Sequence, residues 1–233
     1  MYQELREQVL NANKELPKLG LVIFTWGNVS TFVREDSRML IKGSGVEYDY
    51  MTPGHIAVTD MEGKNIYSDI NPSSDTPTHL ELYKAFDAVG GIVHTHSKFA
   101  TIWAQMGRGI PCLGTTHADY FCGEIPCTRS LTDGEIADEY EKNTGKVIIE
   151  TFEKGGLDHN SIPGVLVKNH GPFAWGRTMD EAVHNAAVLE YVAEMAINCL
   201  LGEGGTLQPV QPALLKKHYE RKFGKNAYYG QGR

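Results

Sequence analysis

The chain is poor in the features that build secreted or membrane-bound proteins. It has four cysteines in 233 residues, Cys112, Cys122, Cys127 and Cys199, and none forms a CxxC pair. That spacing argues against a disulfide scaffold, and such thiols are expected to stay reduced in a cytoplasm. The longest weakly polar run, Gly20–Val33, is too short to span a bilayer and carries Asn28. Met1-Tyr2-Gln3-Glu4 opens onto a charged stretch rather than the apolar core of a leader, so neither export nor a membrane is expected. Positive charge is also short: 22 Lys and Arg against 29 Asp and Glu leave a net charge of −7. A phosphate backbone needs a basic patch, so nucleic acid is not expected as a partner. A small anionic substrate needs only local positive potential and stays open. No repeat, low-complexity segment or linker divides the chain, and one domain over 1–233 is expected.

What is present alternates between helical and strand patterns. Leu5, Val9, Leu10 and Leu16 share one helical face over 2–17. Residues 20–33 read as strand, glycine turn, strand. Met39–Lys42 reads as another strand, broken by Gly43-Ser44-Gly45. Residues 55–67 suggest a hairpin around Glu62-Gly63. Thr76 is the expected N-cap of a helix, with Pro77 at its first position. Residues 90–97 suggest a strand and 98–107 a helix. Thr132 and Glu135 form a capping box that opens one helix reaching 152. Residues 164–176 read as a strand pair around a turn. A second box, Thr178 and Glu181, opens a long helix with Val183, Ala187, Val192, Ala196 and Leu200 as its buried stripe. A short helix follows in the tail. Short turns between strands imply antiparallel pairs, so the expected core is a mixed, mostly antiparallel sheet with helices on both faces.

The chemistry concentrates in a few short stretches. "GIVHTHS" sets His94 and His96 two apart, on one side of a strand if the strand continues through both. "VLVKNHGP" ends another β-patterned run on His170. Three histidines at strand ends suit a catalytic divalent metal with open coordination positions, and imidazole sites take zinc, manganese or cobalt by availability as much as by affinity. The plainer account makes them separately hydrogen-bonded histidines, His170 capping a turn. In "PSSDTPT", Ser73 and Ser74 precede a helix N-terminus that favours anions. Asp75 beside them is a metal ligand, an acid/base or a cap. "TWGNVS" and "IKGSG" combine Gly27, Asn28, Lys42, Ser44 and Gly45 into a candidate phosphate cradle, although most Gly-Ser loops are only turns. "GTTHADYF" adds His117 and Asp119, a pair able to move protons or simply solvated. His184 and His218 fall in helical patterns. Tyr228-Tyr229 on a polar tail suggests docking onto another subunit.

Taken together, "TWGNVS", "IKGSG", "PSSDTPTH", "GIVHTHS", "ATIWAQ", "GTTHADYF", "HGPFAWG" and "AYYGQ" resemble the epimerase branch of the class II aldolase/epimerase family, from the first helix to Gln231. The resemblance implies a three-layer α/β/α sandwich and a fourfold homotetramer with active sites at subunit interfaces. It implies His94, His96 and His170 as ligands of a zinc-type metal, with Asp75 as a further ligand or base. It assigns Gly27, Asn28, Lys42, Ser44, Gly45, Ser73 and Ser74 to substrate and phosphate. It assigns Asp119 and Tyr229 to proton transfer, the tyrosine coming from the adjacent subunit, with His218 as an accessory near the tail. The implied reaction inverts C4 between L-ribulose 5-phosphate and D-xylulose 5-phosphate by breaking and re-forming C3–C4. Gly43 stands where many relatives have proline, a change expected to loosen the loop with little effect on chemistry. Two alternatives remain: an aldolase of the same family, whose members have Glu where Asp75 stands, and a non-catalytic adducin-head-like assembly domain, which would be expected to lose the histidines.

Overall fold

The computed structural model describes residues 2–67, 69–205, 207–225 and 227–229. Gln231, where the family resemblance ends, lies outside them. Helix α1 (Gln3–Lys18) buries Val9, Leu10, Ala12, Asn13 and Leu16. Strands β1 (Asn28–Val33), β2 (Arg38–Lys42) and β3 (Ile56–Thr59) follow, then α2 (Thr76–Ala85), β4 (Gly91–His94), α3 (Lys98–Met106) and the single turn α4 (Thr115–Ala118). Helices α5 (Asp133–Ala137) and α6 (Tyr140–Gly155) lead to β5 (Gly164–Val167) and β6 (Gly171–Gly176). The chain closes with α7 (Met179–Gly202) and α8 (Pro212–Phe223).

The six strands form one sheet in the order β3-β2-β1-β4-β6-β5. Every pairing within it is antiparallel, in line with the mostly antiparallel sheet expected and without its mixed part. The parallel contact among the described residues is an isolated bridge, Cys127 with Leu166. Helix α7 lies across β6, β4 and β1, with α3 and α1 beside it. Helices α2 and α6 pack together on the opposite face, where His79 and Tyr83 of α2 both reach Ser30 Oγ of β1. A strand covered on both faces has no polar side, and β4 is buried throughout. His94 therefore ends a strand in the middle of the core.

Several boundaries depart from expectation for local reasons. Residues 21–27 form no strand, because Phe24 turns left-handed at φ 54° and Gly27 follows at φ 75°. The hairpin after β3 is reduced to one bridge, Thr59 with Asn65. The helix expected over 132–152 is two helices, broken where Glu139 is left-handed at φ 46°. The capping box of Thr132 and Glu135 forms as read. Asn143 Nδ2 then donates to the Glu135 and Asp138 carbonyls, which the break leaves without helical partners. Thr178 accepts from the Glu181 amide, but the Glu181 carboxylate takes the Arg177 amide, so the second box is half formed. In the α7 stripe Val183, Val192 and Ala196 are buried, while Ala187 and Leu200 are half-buried.

Candidate active site

The site is built around one row of the sheet. Asn28 of β1, His94 of β4 and Phe173 of β6 stand opposite one another in register. His94 stacks on Phe173, with ring centroids 4.1 Å apart. The chain leaves the sheet after His94, yet His96 returns to within 3.2 Å, Nε2 to Nε2. His170 is presented by the turn between β5 and β6, where Asn169 is left-handed at φ 63° and the His170 amide closes onto the Val167 carbonyl. Gly171 lets the two histidine loops touch: a Cβ there would meet the Thr95 carbonyl oxygen at 2.7 Å.

The donor atoms of His94, His96 and His170 all lie within 4.8 Å of one another. His94 donates Nδ1–H to the Pro172 carbonyl at 2.9 Å, which leaves the Nε2 lone pair facing inward. Burial, then the neighbouring histidines, lower the His170 pKa to about 3, and burial with His94 lowers that of His96. With His96 and His170 held towards the neutral form, the three clustered imidazoles form a donor set for a divalent cation with open positions. The residues present therefore fit a metal.

Asp75 lies outside that cluster of three. It is the N-cap of α2, where Thr76 was expected, and Thr76 and Pro77 begin the helix. Its carboxylate makes no capping bond; it accepts from Asn28 Nδ2 at 2.7 Å and from Ser73 Oγ at 3.4 Å. Burial opposes its ionisation, but His94, His79 and the Asn28 hydrogen bond outweigh it and hold the pKa below the usual carboxylate range. Asn28 Nδ2 also reaches Ser73 Oγ at 3.1 Å, while its buried Oδ1 has no partner. An orphaned buried acceptor beside a carboxylate and three imidazoles marks a place where a polar ligand belongs.

The loop residues form the rim. Gly43 bridges to Pro72, the Ser44 amide donates to Asn71 and the Ser73 amide to Lys42. Ser44, Gly45 and Ser74 are thereby exposed together beside Ser73. Lys42 is not exposed with them. Its Nζ is buried and donates to the Thr25 carbonyl at 2.9 Å, and burial lowers its pKa to about 8. Gly43 is not loose. A Cβ there would meet Ile70 Cγ1 at 2.6 Å and the His55 carbonyl oxygen at 2.9 Å, and its amide donates to that carbonyl at 2.8 Å.

Asp119 and Tyr229 belong to a second cluster, on α4, α8 and the tail. Asp119 accepts from His218 Nδ1 at 3.0 Å and from both Nε and Nη2 of Arg221. Tyr229 lies with its ring 4.7 Å from the same guanidinium. The two expected proton-transfer residues are thus joined within one chain. His117 turns away and meets the Gly123 carbonyl through Nε2 at 2.8 Å. His184 packs at a tilt against Tyr120, ring centroids 5.1 Å apart.

Three residues that hold neighbours of the candidate site escaped the sequence reading. Tyr48 holds the Trp26 and Gly27 carbonyls through its hydroxyl at 2.7 and 2.9 Å. His79 is fully buried, with its Nδ1 2.7 Å from Ser30 Oγ. Arg221 clamps Asp119. A His inside "PSSDTPTH" was the one available signal, and in sequence it is indistinguishable from an ordinary core histidine.

Residues 7–197 match the model of the class II aldolase and adducin N-terminal domain. The chain is 54% identical over 229 residues to an L-ribulose-5-phosphate 4-epimerase UlaF of Salmonella paratyphi C (strain RKS4594), covering 98% of this chain and 99% of that protein. The same figures hold for the UlaF of Salmonella choleraesuis (strain SC-B67). An L-fuculose 1-phosphate aldolase structure superposes with TM-score 0.77 at 25% identity, covering 94% of this chain and 95% of that one. The L-fuculose-1-phosphate aldolase of Thermus thermophilus shares the fold at TM-score 0.68 and 21% identity, covering 88% of this chain and 98% of that one.

Proposed function

Because the chain belongs to the class II aldolase and adducin N-terminal domain family, we propose that it interconverts L-ribulose 5-phosphate and D-xylulose 5-phosphate by epimerisation at C4. The observation that carries this is the convergence of His94, His96 and His170 in a chain 54% identical, end to end, to proteins of that name. The family is one of metal-dependent enzymes, and zinc is the proposed ion, with manganese or cobalt able to replace it. When bound, the cation supplies Lewis acidity to the substrate's C2 carbonyl and C3 hydroxyl.

The C4 hydrogen of a ketose phosphate is not acidic, so inversion needs the C3–C4 bond to break and re-form. The chain's own groups then have separable tasks. Asn28, Ser73, Ser44 and the exposed rim of Gly45 and Ser74 hold the phosphate-bearing fragment while its aldehyde turns over. Lys42 holds the Thr25 carbonyl, and its charge adds to the local positive potential. Asp75, pinned by Asn28, adds a carboxylate beside the imidazoles as ligand or base. Asp119 and Tyr229 accept and return the proton of the C4 oxygen on its two faces, with His218 beside Asp119.

We propose a homotetramer in which the α8 cluster of one chain meets the histidines of a neighbour. Exposed Phe24 and Trp26 near His96, and exposed Phe223 and Tyr228 on the tail, are the apolar surfaces such an assembly would cover. Among the described residues no helix is long and apolar enough to cross a membrane, and the four cysteines are free thiols. A cytoplasmic location follows as a proposal.

An aldolase on a related sugar phosphate is the second reading, favoured by the aldolase neighbour of TM-score 0.77. A coupled assay decides between them. L-ribulose 5-phosphate should yield D-xylulose 5-phosphate, and L-fuculose 1-phosphate should yield little free aldehyde. Release of lactaldehyde from the latter at the faster rate would reverse the assignment. Turnover of neither would favour the non-catalytic, adducin-like reading.

A further inference from the structure

We propose that Arg221 is a positioning residue for the proton-transfer pair, holding Asp119 through its guanidinium and Tyr229 through its carbonyl and cationic face. This rests on the roles given above to Asp119 and Tyr229. The side-chain half is a fork: Nε reaches Asp119 Oδ1 at 2.9 Å and Nη2 reaches Oδ2. Only 23% of the arginine side chain and 13% of the aspartate are exposed, so water competes little for this pair. A two-point fork fixes the plane of the carboxylate as well as its place, which a lysine could not do.

The backbone half acts on the tail. Helix α8 ends at Phe223, and its last carbonyls need donors from outside the helix. The Arg221 carbonyl receives two, the Tyr228 amide at 3.0 Å and the Tyr229 amide at 3.1 Å. The tail therefore folds back, and the Tyr229 ring comes to lie 4.7 Å from the guanidinium carbon. One residue thus sets both members of the pair. Asp119 is 102 positions away in sequence.

A simpler account gives Arg221 no more than a cation's favourable place in the last turn of a helix. Lys222 already meets that need, and its Nζ lies 3.3 Å from the centre of the Tyr120 ring and 5.4 Å from that of Tyr229. A dipole role requires neither a fork nor contact with both proton-transfer residues. Direct binding of substrate phosphate is a further account, but the guanidinium's Nε and Nη2 are engaged by Asp119. The proposal and phosphate binding differ in kinetics. A proton donor must lie within hydrogen-bond reach of its oxygen, so loosening the clamp should act on kcat. Loss of a phosphate contact should act on KM.

The test uses the full-length, metal-loaded protein and L-ribulose 5-phosphate. Arg221→Ala should lower kcat by roughly 10²-fold, the usual cost of displacing a catalytic group by about 1 Å, with KM within about threefold. Added guanidinium ion should restore part of kcat, an outcome that a general loss of folding would not give. Arg221→Lys, checked for a native circular dichroism spectrum, keeps the charge without the fork and should remain well below wild type. In the double variant Arg221→Ala, Tyr229→Phe the losses should fall well short of multiplying, because Arg221 acts through the pair. Wild-type kcat in Arg221→Ala, a rise in KM alone, or fully multiplicative losses would each overturn the proposal. If Tyr229→Phe and Asp119→Asn are themselves fully active, the fault lies in the roles given to that pair, and the two failures are told apart.

Discussion

His94 and Pro172 are joined by a hydrogen bond from Nδ1–H to the carbonyl oxygen, 2.9 Å long. The same carbonyl also accepts from the Thr95 amide at 3.3 Å, so Pro172 of β6 ties down both His94 and the residue that follows it. The bond selects the His94 tautomer whose Nε2 lone pair points at His96 Nε2, 3.2 Å away. At that distance His96 Nε2 either donates its own proton to His94 Nε2 or shares a cation with it. The site is thus prepared for a cation by a backbone group two residues beyond the third histidine.

Metal removal is the first prediction. Dialysis against a strong chelator should abolish epimerisation, and zinc, manganese or cobalt should restore it. His96→Asn should keep the fold while metal content by elemental analysis falls from about one per chain towards zero. Full turnover by protein verified as metal-free would defeat the Lewis-acid reading.

Acid should destabilise the metal-free protein before its carboxylates titrate. His79 and His117 are buried neutral, with pKa values lowered to about 3 and about 4, against about 6.5 in the unfolded chain. Between those values the unfolded state binds protons that the folded state does not. Stability is therefore complete above about pH 6.5 and declines as pH falls towards the folded values. For His79 alone the loss from pH 7 to pH 5 is about 2 kcal/mol. Thermal unfolding of the chelated protein should show a lower midpoint at pH 5 than at pH 7. A flat profile would mean that these imidazoles are not buried neutral.

Gly43 should resist substitution. Gly43→Ala pushes a methyl into Ile70 and the His55 carbonyl, and Gly43→Pro also removes the amide that donates to that carbonyl. Overpacking of this kind costs about 1–3 kcal/mol. Both variants should unfold at lower denaturant, and KM should rise as the Ser44–Ser73 rim shifts. A fully stable Gly43→Pro would show that the backbone here accommodates the relatives' proline.

Mixed assemblies locate the proposed proton-transfer pair. Tyr229→Phe and Asp119→Asn should each lower kcat by roughly 10²–10⁴-fold. The Arg221 bridge joins the two residues within one chain, so hybrids of these two variants should stay inactive. Hybrids of His96→Asn with Tyr229→Phe should recover about a quarter of wild-type activity, since some sites then pair intact histidines with a neighbour's intact tyrosine. Recovery in the first mixture would place Asp119 and Tyr229 in sites on different chains. Its absence from both would confine each site to one chain.

Much of this protein is written locally in its sequence. The capping oxygen of Thr132, the apolar run of β4, the helical stripe of α7 and the spacing of His94 and His96 each act over a few residues. Propensity and periodicity suffice to read them. The family motifs added the roles proposed for Asp119 and Tyr229. Tertiary structure alone decided the rest. It buried Lys42 under Thr25, 17 positions away, instead of exposing it on the rim. It took the Asp75 carboxylate from its helix and gave it to Asn28, 47 positions away. It tied Asp119 to Arg221 across 102 positions. Each of these choices satisfies a buried or half-buried polar group with the nearest partner that packing supplies, and which partner is nearest depends on how the whole sheet and its two helical layers close.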